Sequence, residues 1–494
     1  MSGSIRNKTL SGLIWSGSET FINQVFGFIQ GVILARLLMP SDFGLIAMAG
    51  VFNALAKTLV DSGFSTALIR KNERSEMDYS TVFDINIVMS ALMALLLCAC
   101  SSLIASFYNE PLIAKIVCLN ALLIFLGSFT AVQSTRLMAN MEFKKRSKIN
   151  MIITVTNGLL AIGMAYCGLG VWSLIYPYFL TFILSVYLYW YYQRWFPGFR
   201  FSILSFKELF GFGSKLLASS LLDVLYGNIY PLVIGKKYTS SDLAFYSKGS
   251  TFAKLPSVTI TNVLALVTLP VLSDIQNEDE RLQVSYRKFI SLSAFVVFPL
   301  LVGMAAVARP MVILLITEKW EECIIYLQIL CFSLMWYPIH ALNLNLLKVK
   351  GRSDLFLRLE VIKKIMGLVI LFVTLPMGIV YMCIGSVISS FVSLFLNTYY
   401  TGKLIHVGFY EQMNDIMPSM FFSISMGIIV WVITQIFHPM WLQLFCGILV
   451  GGVYYYCIAK LFHSKDLMFF LEIYNSNIKR NIINGKKPLG KNNL

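Results

Sequence analysis

Long apolar runs, separated by short polar segments, set the pattern of this chain. Many reach about 20 residues, the length that lets a helix cross a bilayer core about 30 Å thick. In lipid the backbone must satisfy its own hydrogen bonds, which leaves helices or a closed barrel. Barrel strands alternate apolar and polar residues, whereas runs such as Ser90–Leu97 and Gly367–Leu375 are apolar nearly end to end with no such alternation. The pattern therefore predicts fourteen helices, at 11–36, 43–69, 81–107, 112–138, 149–167, 170–192, 211–235, 242–272, 288–316, 323–347, 359–377, 380–402, 418–436 and 441–462.

Composition agrees with an all-α polytopic membrane protein. The chain is 57% hydrophobic and 13% charged, whereas soluble domains are about 25% charged. The first apolar segment, Leu10 to Leu38, is too long for a signal-peptide core and is expected to be retained. The nine cysteines stand singly in or beside apolar runs, so neither a disulfide framework nor a metal site is predicted.

A net charge of +15 raises the question of nucleic acid, and its distribution answers it. With the N-terminus inside, the cytoplasmic segments hold 27 Lys and Arg, and the outside loops hold only Arg36, Lys236, Lys237 and Lys319. Such a bias fixes topology. Both termini are expected in the cytoplasm, and no nucleic-acid partner is implied. Outside loops are short; the ninth and tenth helices are joined by about Thr317–Glu322. Phe199–Phe212 and Leu467–Ile483 mix apolar and charged residues and are expected to lie at the interface as amphipathic helices.

The chain also repeats itself. Gly31–Leu45 aligns without a gap on Pro231–Phe245, placing Arg36 on Lys236, Ser41 on Ser241 and Asp42 on Asp242. Each copy is an apolar helix end, a basic residue and a polar turn whose Ser-Asp pair is expected to cap the next helix. The basic link Phe143–Lys148 has a counterpart in Lys348–Ser353. Six helices separate the copies, so both share one orientation, as in a parallel repeat. The expected organisation is an N-terminal lobe at 1–205, a second lobe at 206–402, and a helix pair with a basic tail at 403–494, with a central cavity between the lobes.

The stretches Ala35–Leu45, Val60–Ile69 and Ala244–Ser250, with Leu255 and Pro256, resemble bacterial polysaccharide-transport flippases. The closest type is the colanic-acid or teichuronic-acid exporter, within the multidrug/oligosaccharidyl-lipid/polysaccharide superfamily. The resemblance covers the whole chain and is most specific over Ala35–Ile69. It implies transfer of an undecaprenyl-diphosphate-linked oligosaccharide repeat unit between leaflets of the bacterial cytoplasmic membrane, through a cavity of alternating access. It adds polysaccharide polymerase and chain-length proteins as candidate partners. Relatives divide between lipid-linked glycans and small drugs, so fold alone does not decide function.

Charges inside the predicted helices carry the chemistry. Lys57, Lys215, Lys248, Lys254 and Lys364 are candidate substrate contacts, and Glu19, Asp61 and Asp223 are candidate sites for a coupling proton or sodium ion. A charge at mid-bilayer costs about 2.5–3.5 kcal/mol on insertion scales, a penalty that a water-filled cavity removes. Lysine suits a diphosphate as a mobile point charge. The competing readings are structural: Lys57 and Asp61, four apart, neutralise each other; Glu19, Asp61 and Asp223 each pair with a lysine; Lys215 anchors at the interface; Lys363 and Lys364 reach the cytoplasm. Pro231, Pro256, Pro299 and Pro338 are expected to interrupt helices. Surplus lysine argues against cationic drugs, which leaves a small-molecule antiporter as the alternative function. An enzyme is disfavoured. Glu318, Glu321 and Glu322 read as a solvated turn, Glu278–Glu280 has no catalytic partner, and no phosphate-cradling glycine loop is present. No cofactor is implied beyond the coupling ion.

Overall fold

A computed structural model describes residues 2–61, 63–71, 73–198 and 200–472. The first half contains α1 (Ser2–Leu37), α2 (Pro40–Asp61), α3 (Phe64–Arg70), α4 (Glu76–Tyr108), α5 (Leu112–Ala139), α6 (Phe143–Tyr166), α7 (Tyr176–Gln193), α8 (Ile203–Gly227) and α9 (Ile229–Lys237). There follow α10 (Ser240–Asp274), α11 (Asp279–Ala306), α12 (Ala308–Ile316), α13 (Cys323–Leu334), α14 (Tyr337–Val349), α15 (Ser353–Thr374), α16 (Ile379–Ile405), α17 (Phe409–Ile436) and α18 (Met440–Leu461). The protein is an all-α, multi-pass membrane protein.

Among the described residues, thirteen helical stretches are long and apolar enough to span a membrane. The exception among the fourteen expected is α15, which carries Asp354, Arg358, Glu360, Lys363 and Lys364 between its start and Lys364. Its length is sufficient; its composition is not.

Four predicted helices are broken, and the breaks have chemical causes. α8 gives way to α9 at Asn228, three residues before Pro231, and α13 to α14 at Met335–Trp336, just before Pro338. α11 yields to α12 at Val307, three residues before Pro310. Proline lacks an N–H and fits the first turn of a helix, so each break sits where the missing donor costs least. Pro256 and Pro299, by contrast, lie inside continuous helices, so the expected interruptions there are absent. The break between α2 and α3 uses Gly63, whose φ of +71° glycine adopts without the steric cost a Cβ would bring.

The helix ends are capped as their sequences allow. Ser75 opens α4 with a reciprocal capping box to Asp78, and Asn109 closes it in the left-handed conformation. The two Ser-Asp turns differ from expectation in one detail. Asp42 reaches back from the third helical position to accept from the Met39 N–H at 3.1 Å, and Asp242 accepts from Thr239 N–H at 3.0 Å. The aspartate is the returning arm of the cap, and Met39 or Thr239 holds the N-cap position.

Packing divides the chain into two compact units, 1–247 and 248–494. In the first, α4 lies along α5, α1 along α6, and α2 contacts α4, α5 and α8. In the second, α11 packs on α17, α17 on α18, α15 on α16, and α13 on both α11 and α16. Residues 203–212 are not a separate interfacial helix. They form the first turns of α8, where Phe206, Leu209 and Phe212 pack with Phe64, Leu68, Tyr79, Phe83 and Trp195. Of the second amphipathic stretch, residues up to 472 are helical, with Leu467 packed on Phe295 and Phe422; the remainder lies outside the described residues.

Candidate functional site

In the first unit, Lys57 and Asp61 stand on the last two turns of α2 and are both exposed. They do not neutralise each other. The Asp61 carboxylate instead accepts from the Ser65 hydroxyl at 2.7 Å, across the break between α2 and α3. The next helix against this break is α8, which comes so close that a Cβ on Gly63 would lie 2.7 Å from the Gly213 carbonyl oxygen. That approach places Lys215 two residues beyond the contact, exposed, with Asp223 exposed two turns further on.

A polar clasp holds α8 in this position. The Lys71 ammonium donates to Glu208 at 2.9 Å and to Asp78 at 3.1 Å. Bonding to Glu208, reinforced by Asp78, raises the Lys71 ammonium above its ordinary range despite partial burial. Arg74 donates to the carbonyls of Leu68, Ile69 and Ala139, covering the C-terminal end of α3.

Glu19 has a different environment from the other acids. It is 8% exposed on α1 and sits among donors. Ser147 Oγ and Asn150 Nδ2 each donate to it at 2.6 Å, and the Arg146 guanidinium lies 4.0 Å away. Tyr189 from α7 donates to Asn150 Oδ1 at 2.7 Å. The cation beside Glu19 is therefore an arginine at the edge and not the expected lysine, and two neutral donors do the direct bonding.

In the second unit, Lys248 is half-buried, with its ammonium 5.2 Å from the centre of the buried Trp320 ring. Gly249, the next residue, lies where a Cβ would meet the Leu327 amide nitrogen at 2.9 Å, which presses this part of α10 onto α13. Lys254 is exposed. Lys363 pairs with Glu360 one turn back, whereas Lys364 is half-buried on the neighbouring face of α15. Among the described residues, Lys57, Lys215 and Lys254 form no ion pair. Three exposed ammonium groups on membrane-length helices require water or an anion beside them.

The second unit also holds a buried polar network built from uncharged side chains. Asn343, Thr401 and Gln412 are all at most 1% exposed and bond to one another. Asn343 Nδ2 donates to Gln412 Oε1 at 3.1 Å, Gln412 Nε2 to Thr401 Oγ1 at 2.9 Å, and Thr401 Oγ1 to the Val407 carbonyl at 2.9 Å. The network joins α14, α16 and α17 with no formal charge. Single amides within apolar helices carry no spacing signal, so nothing in the sequence marks them. No cluster of His, Cys, Asp and Glu able to hold a metal occurs among the described residues.

Residues 33–325 match a family described as polysaccharide biosynthesis protein. The lipopolysaccharide biosynthesis protein WzxC of Escherichia coli K12 is 26% identical over 362 residues, spanning 73% of this chain and 74% of that protein. The teichuronic acid biosynthesis protein TuaB of Bacillus subtilis 168 is 25% identical over 358 residues, 71% of this chain and 73% of its own. Among solved structures, an inward closed conformation of the lipid II flippase MurJ superposes with a TM-score of 0.76 at 14% identity, covering 92% of this chain and all of that one. That likeness is one of fold.

Proposed function

Because this chain belongs to the polysaccharide biosynthesis protein family, we propose that it is a flippase for undecaprenyl-diphosphate-linked oligosaccharide repeat units. It carries them from the inner to the outer leaflet of the bacterial cytoplasmic membrane by alternating access, with both termini in the cytoplasm. It performs no covalent step.

The observation that carries this reading is the set of exposed lysines, Lys57, Lys215 and Lys254, on helices otherwise composed for lipid. A diphosphate gives them their partner. At about 4 Å and an effective dielectric near 20, each ammonium–phosphate contact is worth roughly 4 kcal/mol before desolvation. Several such contacts, made and broken in turn, suit a cargo that must leave. Lys248 and Lys364 stand on α10 and α15 as further contacts. Asp61 and Asp223 are exposed acids for a coupling proton or sodium ion, and Glu19, enclosed by donors, answers to movement of α6 against α1. Polysaccharide polymerase and chain-length proteins are the partners that would take up the delivered unit.

Reconstituted protein tests the proposal. Transfer of a lipid-linked saccharide across vesicles is expected to fall at least tenfold in Lys254→Ala, about the value of one charge-assisted contact, with insertion unchanged. Full transport by the variant removes Lys254 from the path, and normal delivery of repeat units in a deletion strain removes the function.

A further inference from the structure

Two cavities of the second unit join into one groove. The first, about 500 Å³, lies between α11, α13 and α17 and is lined by apolar side chains such as Val302, Ile329, Phe332 and Ile428. The second, about 550 Å³, is polar and contains Arg309, Glu321, Glu322, Thr434, Gln435 and Gln443. Ala306, Ile325, Gln328 and Trp431 line both, so the apolar trough opens directly into the polar chamber. Trp431, 54% exposed, stands at the junction. An indole between an apolar trough and a wet chamber occupies the place aromatic side chains take at a membrane interface.

The chamber's charges are arranged for a zwitterion. Arg309 Nη2 lies 2.8 Å from Glu321 Oε1, both side chains being more than half exposed. Glu322, the next residue, lines the same chamber and forms no ion pair among the described residues. One guanidinium beside two carboxylates leaves a local charge of −1, which disfavours a wholly anionic headgroup. A guanidinium binds a phosphodiester through paired N–H donors, and a carboxylate accepts from a primary ammonium. A quaternary ammonium has no N–H to give.

We propose that this groove is a binding site for a phospholipid bearing a phosphodiester and a primary amine, of the phosphatidylethanolamine class. Its acyl chain lies in the trough over Phe332 and Ile428. Its phosphate meets Arg309, and its ammonium meets Glu322. The short turn of Glu318, Glu321 and Glu322, which reads as a solvated loop in the sequence, becomes one wall of a headgroup pocket. By the distribution of basic loops, this end of the unit faces the outer leaflet, so the lipid is drawn from there. The groove is contained within the second unit and is independent of the lysines assigned to the cargo.

Native mass spectrometry of the full chain, delipidated in detergent and titrated with dioleoyl phosphatidylethanolamine, phosphatidylcholine or phosphatidylglycerol, tests the assignment. The phosphatidylethanolamine adduct is expected to exceed the other two on the order of tenfold, the size of one charge-assisted hydrogen bond. Glu322→Gln, a nearly isosteric change at the chamber wall, is expected to reduce phosphatidylethanolamine to the level of phosphatidylcholine. Arg309→Gln is expected to weaken both. Equal occupancy by all three lipids overturns the proposal, as does a preference untouched by Glu322→Gln. Undecaprenyl diphosphate displacing phosphatidylethanolamine at equal concentration also overturns it, because the groove then belongs to the cargo. Transport assays do not enter this test, so its outcome is separate from that of the flippase reading.

Discussion

The Glu19 network allows a quantitative test of how α1 is held on α6. Ser147 is 1% exposed, and its hydroxyl reaches Glu19 at 2.6 Å. A hydrogen bond to a charged group contributes about 1.5–3 kcal/mol, so Ser147→Ala is expected to cost that amount. Glu19→Ala removes two such bonds and strands one buried and one half-buried donor, for a cost of about 3–5 kcal/mol. The double variant is the informative one. Once Glu19 is gone the Ser147 hydroxyl has lost its acceptor, so the combined cost is expected to fall short of the sum by about 1–2 kcal/mol. Reversible unfolding of purified protein in mixed micelles, with helix content as the signal, gives all four corners of the cycle. Costs that add to within about 0.5 kcal/mol would show that serine and glutamate do not interact. That result would refute the network as the link between these helices.

Further expectations follow from packing and charge. A Cβ on Gly44 would lie 1.8 Å from the Ser240 carbonyl oxygen. Gly44→Ala is therefore expected to lower stability by about 1–3 kcal/mol or more, as overpacking of backbone against backbone does. Gly50→Ala, on the same helix with open space around it, serves as the control and is expected to be neutral or stabilising; equal melting temperatures for the two variants would contradict the contact. Asp466 accepts from Ser291 at 2.6 Å, and burial, with Asp415 nearby, lifts its carboxyl above the usual range. The folded state then binds this proton more tightly than the unfolded chain. The group is neutral to stability below its unfolded value near 4 and increasingly unfavourable as pH rises through its folded value. Asp466→Asn is expected to flatten the pH dependence of the melting temperature above pH 4; an unchanged profile would count against burial of the charge.

The sequence made most of the architecture visible, for a physical reason. A bilayer-spanning helix must be apolar over its whole length, so each span announces itself locally, and prolines announced the breaks before Pro231 and Pro338. α15 is harder to read, because five charges lie between Asp354 and Lys364 and only the remainder of the helix reads as lipid-facing. The break at Gly63 was missed, since a glycine in an apolar run means nothing until its φ is known. Candidate site residues divide in the same way. A charge in a hydrophobic run is conspicuous, and Lys57, Lys215 and Lys254 are singled out as candidates on that ground alone. Their partners are a different matter. Ser147 and Asn150 lie 128 and 131 residues from Glu19, and the pairing of Asn343 with Gln412 spans 69. Such long-range pairing of neutral side chains leaves no trace in spacing.

The duplicated turn has a consequence beyond symmetry. Its two copies, ending in Asp42 and Asp242, fold back on each other, and the helix that begins at Pro40 meets the start of its twin at Ser240. Two segments of like pattern thus meet inside a single chain. The confrontation cannot be even-handed: one side has Gly44 with no room for a methyl group, while the other holds Ala244 fully covered. At that seam close fit forces the two segments to differ, and exchanging a residue between them should do harm that their likeness in sequence would not suggest.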